Sequence, residues 1–124
     1  MNRPATSGPI DLEGAALRTF VRIAEAWQLT EEDQRKILAL PEAEPWQAVE
    51  EFPVEGTTPL RISYIISIYR ILHTIFSDRS QADGWVHRSN SAEIFGGRTA
   101  IQVLCSGELR SFESIRDHLA AQQG

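Results

Sequence analysis

Apolar residues recur at intervals of three and four along most of the chain, and no segment alternates apolar and polar positions as a half-buried strand does. The first such run, Asp11 to Trp27, places Leu17, Phe20, Val21, Ala24 and Trp27 on one face of a helix. Thr30 suits the N-cap of a second helix, because its hydroxyl can accept from the free amides of the next turn. Glu31, Glu32 and Asp33 then favour the positive end of that helix, and Pro41 stops it after Leu40. A short third helix is expected from Pro45 through Trp46 and Val49 to Phe52, before Pro53 and Gly56 break the chain.

Thr58-Pro59 opens the longest apolar segment, in which Leu60, Ile62, Ile65, Ile66, Ile68, Tyr69, Leu72, Ile75 and Phe76 leave almost no polar face. At roughly eighteen residues it is far longer than a strand, so it should be the central buried helix. Such a run is ordinarily core, and in so short a chain part of it is also a candidate subunit interface. Ser80 suits the cap of a helix through Trp85 to Arg88, Asn90-Ser91 marks a turn, and a single helical turn is expected at Ala92 to Phe95. After Gly96-Gly97, the residues Thr99 and Gln102 have the spacing of a capping box, so a helix should start at Ala100 and stop at Ser106-Gly107. The last helix, Glu108 to Ala121, carries Leu109, Phe112, Ile115 and Leu119 on one stripe. The expected fold class is all-α, a compact multi-helix domain.

Composition narrows the setting. The 124 residues, 42% of them hydrophobic, suit one globular unit or two small helical parts sharing a core. Cys105 cannot form an internal disulfide, and within Ile101, Val103 and Leu104 it reads as a small buried thiol, which suits a reducing compartment. Residues 1–11 lack a secretory apolar stretch, and no segment reaches the roughly 18 apolar residues of a membrane span, so the expectation is a cytoplasmic protein without a membrane partner. The net charge of −5 is unevenly spread: eleven acids against five bases give −6 over residues 1–57, and six acids against seven arginines give +1 over residues 58–124. The two halves are expected to face different partners.

No chemistry-bearing motif stands out. His73, His87 and His118 are scattered, there is no HExxH, CxxC, GxSxG or glycine-rich phosphate loop, and one cysteine with three dispersed histidines does not make a zinc site. The chain is therefore expected to be no enzyme and to need no metal or cofactor, with the histidines structural or solvated and His73 packed at the edge of the central helix. Gly96-Gly97-Arg98 is weak evidence for an anion site without a preceding strand. A tight interhelical turn is the plainer reading, with Arg98 fixing the turn or meeting a partner's carboxylate. The first three helices have the order and length of a helix-turn-helix. The segment that would enter DNA, residues 41–51, holds four glutamates and no base, and Arg35 and Lys36 are the only nearby cations. Phosphates repel such a surface, which disfavours independent DNA binding.

The residues Arg61-Ile62-Ser63-Tyr64-Ile65-Ile66-Ser67-Ile68-Tyr69, Trp85-Val86-His87-Arg88-Ser89-Asn90, Phe95-Gly96-Gly97-Arg98-Thr99-Ala100 and Leu104-Cys105-Ser106-Gly107 together resemble the Xre/MbcA/ParS type of antitoxin over most of the chain. In that family an Xre-like helical part precedes a toxin-binding domain marked by a Trp, an Asn, a glycine-rich turn, a Thr-Pro helix start and a Ser/Thr-Gly stop. Here Ala100 stands at the proline position, which keeps the helix start and gives up rigidity. The resemblance implies an Xre-like part over residues 1–57 and a toxin-binding part over 58–124. It also implies a partner of the RES-domain fold, a toxin that consumes NAD by phosphorolysis, hydrolysis or ADP-ribosylation, whose pocket the antitoxin's C-terminal region covers or enters. A homodimer or a higher hetero-oligomer with the toxin fits the same pattern.

Candidate contacts on or after the last helix are Arg110, Glu113, Arg116, Asp117, His118, Gln122, Gln123 and Gly124, joined by Asn90 and Arg98 from the turn. Arginine suits the task because a guanidinium pairs bidentately with carboxylates. The alternative reading is a helix-turn-helix transcriptional regulator, autoregulating its operon as the toxin complex, with Arg35 and Lys36 as its DNA contacts.

Overall fold

A computed structural model describes residues 7–40 and 57–123, with side chains from Gly14 onward. Its helices are α1 (Ser7–Ala26), α2 (Glu31–Leu38), α3 (Thr58–Ile75), α4 (Arg79–Gly84), a 3-10 turn (Trp85–His87), α5 (Ala100–Leu104) and α6 (Leu109–Gln123). The protein is all-α: the described residues contain no strand, only an isolated antiparallel bridge between Ser89 and Thr99. The helix expected at Pro45 to Phe52 lies outside the described residues.

The central helix is α3. Helix α6 packs along it most extensively, α1 lies against another side, and α2 and α4 complete the shell. A single apolar cluster runs from Phe20 and Trp27 of the first helical segment through Ile62, Ile65, Ile68 and Leu72 to Phe112, Ile115 and Leu119. Trp27 is fully buried, and its indole N–H finds no partner among the described residues. α3 is not enclosed all round as its composition suggested. Leu60 is 46% exposed, and Ser63, Arg70 and Thr74 face outward, because its packed neighbours leave one side open.

Several helix ends differ from the expectation, beginning with α1, which starts at Ser7 rather than Asp11. α1 and α2 both close with Schellman hydrogen bonds: Leu29 N–H donates to Ala24 and Gln28 N–H to Glu25, while Leu40 N–H donates to Arg35 and Ala39 N–H to Lys36. The left-handed positions are Gln28 (φ 57°) and Ala39 (φ 59°), not glycines, so α2 stops short of Pro41. Asp78, not Ser80, caps α4, its Oδ1 accepting from Ser80 N–H at 2.7 Å and Gln81 N–H at 3.3 Å. Ala92 to Phe95 forms hydrogen-bonded turns, with the amides of Phe95 and Gly96 both donating to the Ala92 carbonyl, rather than a helix.

The Thr99 box is complete: Gln102 N–H donates to the Thr99 hydroxyl at 3.1 Å, and Thr99 N–H donates to Gln102 Oε1 at 2.9 Å. Thr99→Val removes one of these bonds and should lower stability by about 1 kcal/mol. Urea denaturation checks this, and an unchanged midpoint would show that the cap contributes nothing.

Candidate partner-binding surface

The start of α6 is fixed by the chain before it. Gly107 adopts φ 84°, a conformation favoured by glycine, and turns the chain from α5 into α6. The stripe Phe112, Ile115 and Leu119 is then buried against α3, which orients every other side chain of α6.

Arg61 secures the junction. This residue of α3 is only 7% exposed. Its Nη2 donates to the Gly107 carbonyl at 2.6 Å, Nη1 to the Ile37 carbonyl at 3.4 Å and Nε to the Thr57 hydroxyl at 2.8 Å, and the guanidinium lies 5.2 Å from the Phe112 ring centroid. Among the described residues no carboxylate pairs with it, and burial pushes its pKa below the ordinary arginine value. The cation is instead held by a carbonyl in the last turn of α2, where the helix dipole presents partial negative charge, by the Gly107 carbonyl of the α5–α6 turn, and by the face of an aromatic ring. One donor up the chain, the Thr58 hydroxyl reaches the Leu38 carbonyl at 2.7 Å, so α3 satisfies two end carbonyls of α2.

The sequence-derived candidates on α6 do not form one cluster. Arg110, Glu113 and Asp117 point away from the core and are exposed. Arg116 lies on one flank, 5.0 Å from the Tyr64 ring centroid, with its guanidinium bonded to Asp117 at 2.9 and 3.1 Å; that bond holds its pKa above the ordinary value. His118 lies on the opposite flank, edge-on to Phe95 at 5.6 Å, and Gln122 Nε2 donates to its Nε2 at 2.9 Å. Gln123 is exposed, and Gly124 lies outside the described residues. Between the His118 flank and the preceding turn runs a groove of 180 Å³, walled by Ile94, Val103, Ser111, Ser114 and Ile115 with Glu108 and Arg110 at its edge.

Asn90 and Arg98 serve that turn from within. Asn90 Oδ1 accepts from Ala92 N–H at 2.8 Å, its own N–H donates to the Arg98 carbonyl, and its carbonyl accepts from Gly97 N–H. Arg98 Nε donates to the Phe95 carbonyl at 3.0 Å. Phe95, fully buried, meets Trp85 on one side and His118 on the other, which sets the turn beside α6.

The remaining titratable side chains are built into the packing. His73 Nε2 lies 2.8 Å from Asp83 Oδ1 and the ring stacks 4.2 Å from Tyr69, so α3 is tied to α4; His87 Nε2 lies 2.6 Å from the Trp27 carbonyl. Cys105 is half-buried, with its thiol directed at Asp33 Oδ1 at 3.6 Å; burial first, then the Asp33 charge, pushes its pKa up to about 12. Arg35 and Lys36, the DNA candidates, pair at i,i+4 with Glu31 at 3.1 Å and Glu32 at 3.2 Å, so their charge is largely met within α2. No group of three or more His, Cys, Asp or Glu among the described residues could hold a metal ion, and no described helix is long and apolar enough to cross a membrane.

Sequence reasoning assigned no role to Arg61 or to the His73–Asp83 pair. An arginine in the midst of an isoleucine-rich segment is the one available signal for the first; nothing local foretells the second.

No protein-family model and no solved structure matches the chain. A protein of Sinorhizobium fredii (strain NBRC 101917 / NGR234), described as "Uncharacterized protein y4oB", is 32% identical over 114 residues, covering 89% of this chain and 85% of that protein.

Proposed function

The chain belongs to the family of the Sinorhizobium fredii protein y4oB, and from its own residues we propose that it is the antitoxin of a type II toxin–antitoxin pair, which works in the cytoplasm by binding a RES-domain toxin that acts on NAD and blocking its active site. One observation carries this reading. The residues of the resemblance, Asn90, Gly96, Gly97, Arg98, Thr99 and Gly107, are used together in a self-bonded turn and cap that leads into α6 and leaves its side from Arg110 to Asp117 polar and exposed.

Inhibition of this kind is steric and electrostatic. No bond is made or broken, and the work falls to groups that fill and neutralise a partner's pocket. On the outward face, Arg110 offers a bidentate guanidinium to a carboxylate or occupies the place of a cationic group of NAD, while Glu113 fixes the register by opposite charge. Arg116 and Asp117 contribute less, since they are already engaged with each other and the guanidinium lies over Tyr64.

The test is to look for a RES-like protein in the reading frame beside the gene and to co-express and co-purify the chain with it. Arg110→Ala combined with Glu113→Ala keeps the buried stripe intact and should weaken toxin binding by about 2 kcal/mol or more, roughly thirtyfold, with loss of protection in cells. Arg116→Ala should cost less. Failure of the parent chain to bind the toxin would overturn the antitoxin reading, and unchanged affinity of the double variant would move the interface off the outward face of α6.

A further inference from the structure

We propose that Arg61 is a positioning residue that couples the N-terminal helices to the partner-binding helix, holding the end of α2 and the start of α6 in one fixed arrangement. Its role in binding rests on the antitoxin reading; its role in coupling does not.

The geometry is specific to a guanidinium. Two nitrogens of one planar fork reach carbonyls that belong to separate parts of the chain, Ile37 at the end of α2 and Gly107 at the entry to α6, while Nε ties the fork to Thr57 at the start of α3. The ring of Phe112, in the first turns of α6, closes the fourth side. A lysine ammonium is a single point and cannot span both carbonyls along the fork's directions.

Among the described residues, Ile37 and Leu38 are the buried side chains of α2, and Thr58 and the Cys105 thiol supply further bonds across to it. A displacement at either end of the fork leaves the carbonyl of that end without this donor and the guanidinium one acceptor short. The two ends move together or lose the bond. In this arrangement the N-terminal helices are needed for tight partner binding without touching the partner.

The experiment uses the whole chain and two variants. Arg61→Met keeps the apolar stem over Phe112 and removes charge and donors; Phe20→Leu perturbs the fully buried contact of α1 instead and serves as a control for lost stability. Both are studied folded, well below their melting temperatures. Hydrogen exchange on the free chain should show Arg61→Met losing amide protection at the end of α2 and at the start of α6 together, with Phe20→Leu losing it at neither. Toxin affinity should fall roughly tenfold for Arg61→Met and stay at the parent level for Phe20→Leu. Arg61→Lys should recover the fold's melting temperature in part and not the affinity.

Exchange loss confined to one of the two ends overturns the coupling. Equal loss of affinity in both variants reduces Arg61 to general stability and overturns its positioning role. If the parent chain does not bind the toxin, the antitoxin reading falls, and the exchange measurement alone decides whether Arg61 couples the two ends.

Discussion

Phe112→Ala should lower the free energy of unfolding by about 4 kcal/mol, which for a chain of this length is a fall in Tm of roughly 15 °C. Phe112 is fully buried and lies at the centre of the α3–α6 contact. Truncation removes apolar area from the core and leaves a cavity. It also strips the Arg61 guanidinium of the aromatic face 5.2 Å away, so a buried cation loses part of its surroundings while keeping its desolvation cost. Phe112→Leu retains much of the volume and should lose less than half as much. Denaturant titration separates the two: the midpoint should shift at constant slope. A loss under about 1.5 kcal/mol for the alanine variant would show that the core collapses around the gap and that Phe112 is not a keystone.

Phe95→Ala is expected to cost about 3 kcal/mol, with a local signature. Phe95 is fully buried between Trp85, at 5.6 Å and 77°, and His118, at 5.6 Å and 82°, both edge-to-face arrangements that favour the ring quadrupoles. Alanine keeps the Phe95 carbonyl, so the bonds from Arg98 N–H and Arg98 Nε survive and the turn itself should persist. What is lost is the link from that turn to α6. Hydrogen exchange should quicken from His118 to Gln123 and in the 3-10 turn at Trp85–His87, with the capping box at Thr99 unaffected. Uniform loss of protection over every described helix, or none in α6, would contradict the role given to Phe95.

Much of this protein is written in short-range signals. Apolar spacing of three and four places Phe20 and Trp27, Ile62 and Ile65, and Phe112, Ile115 and Leu119 on buried faces whatever the neighbours are, because exposing those stripes to water costs more than any local alternative returns. Thr99 with Gln102 needs only three residues of chain to satisfy itself, and the glycines at 96, 97 and 107 all take the positive φ that they tolerate without strain. These features are local, so the sequence by itself determined an all-α fold, most of its helices and the outward direction of Arg110, Glu113 and Asp117.

Other features turn on contacts between distant positions, and the tertiary structure alone decided them. Gln28 and Ala39 accept left-handed backbone because burial of Leu29 and of Ile37 and Leu38 beside them offsets the strain, which no turn propensity records. Asp78 takes the cap of α4 from Ser80 because the chain leaving α3 aims its carboxylate at the free amides. The candidate contacts Arg116 and His118 fall on opposite flanks of α6, since Tyr64 and Phe95 stand on opposite sides of it. Arg61 is the clearest case. A cation among isoleucines is costly to bury by itself; it is held here because Ile37, 24 residues before it, and Gly107, 46 residues after it, bring carbonyl oxygens to the same place, a coincidence that only the packed fold creates.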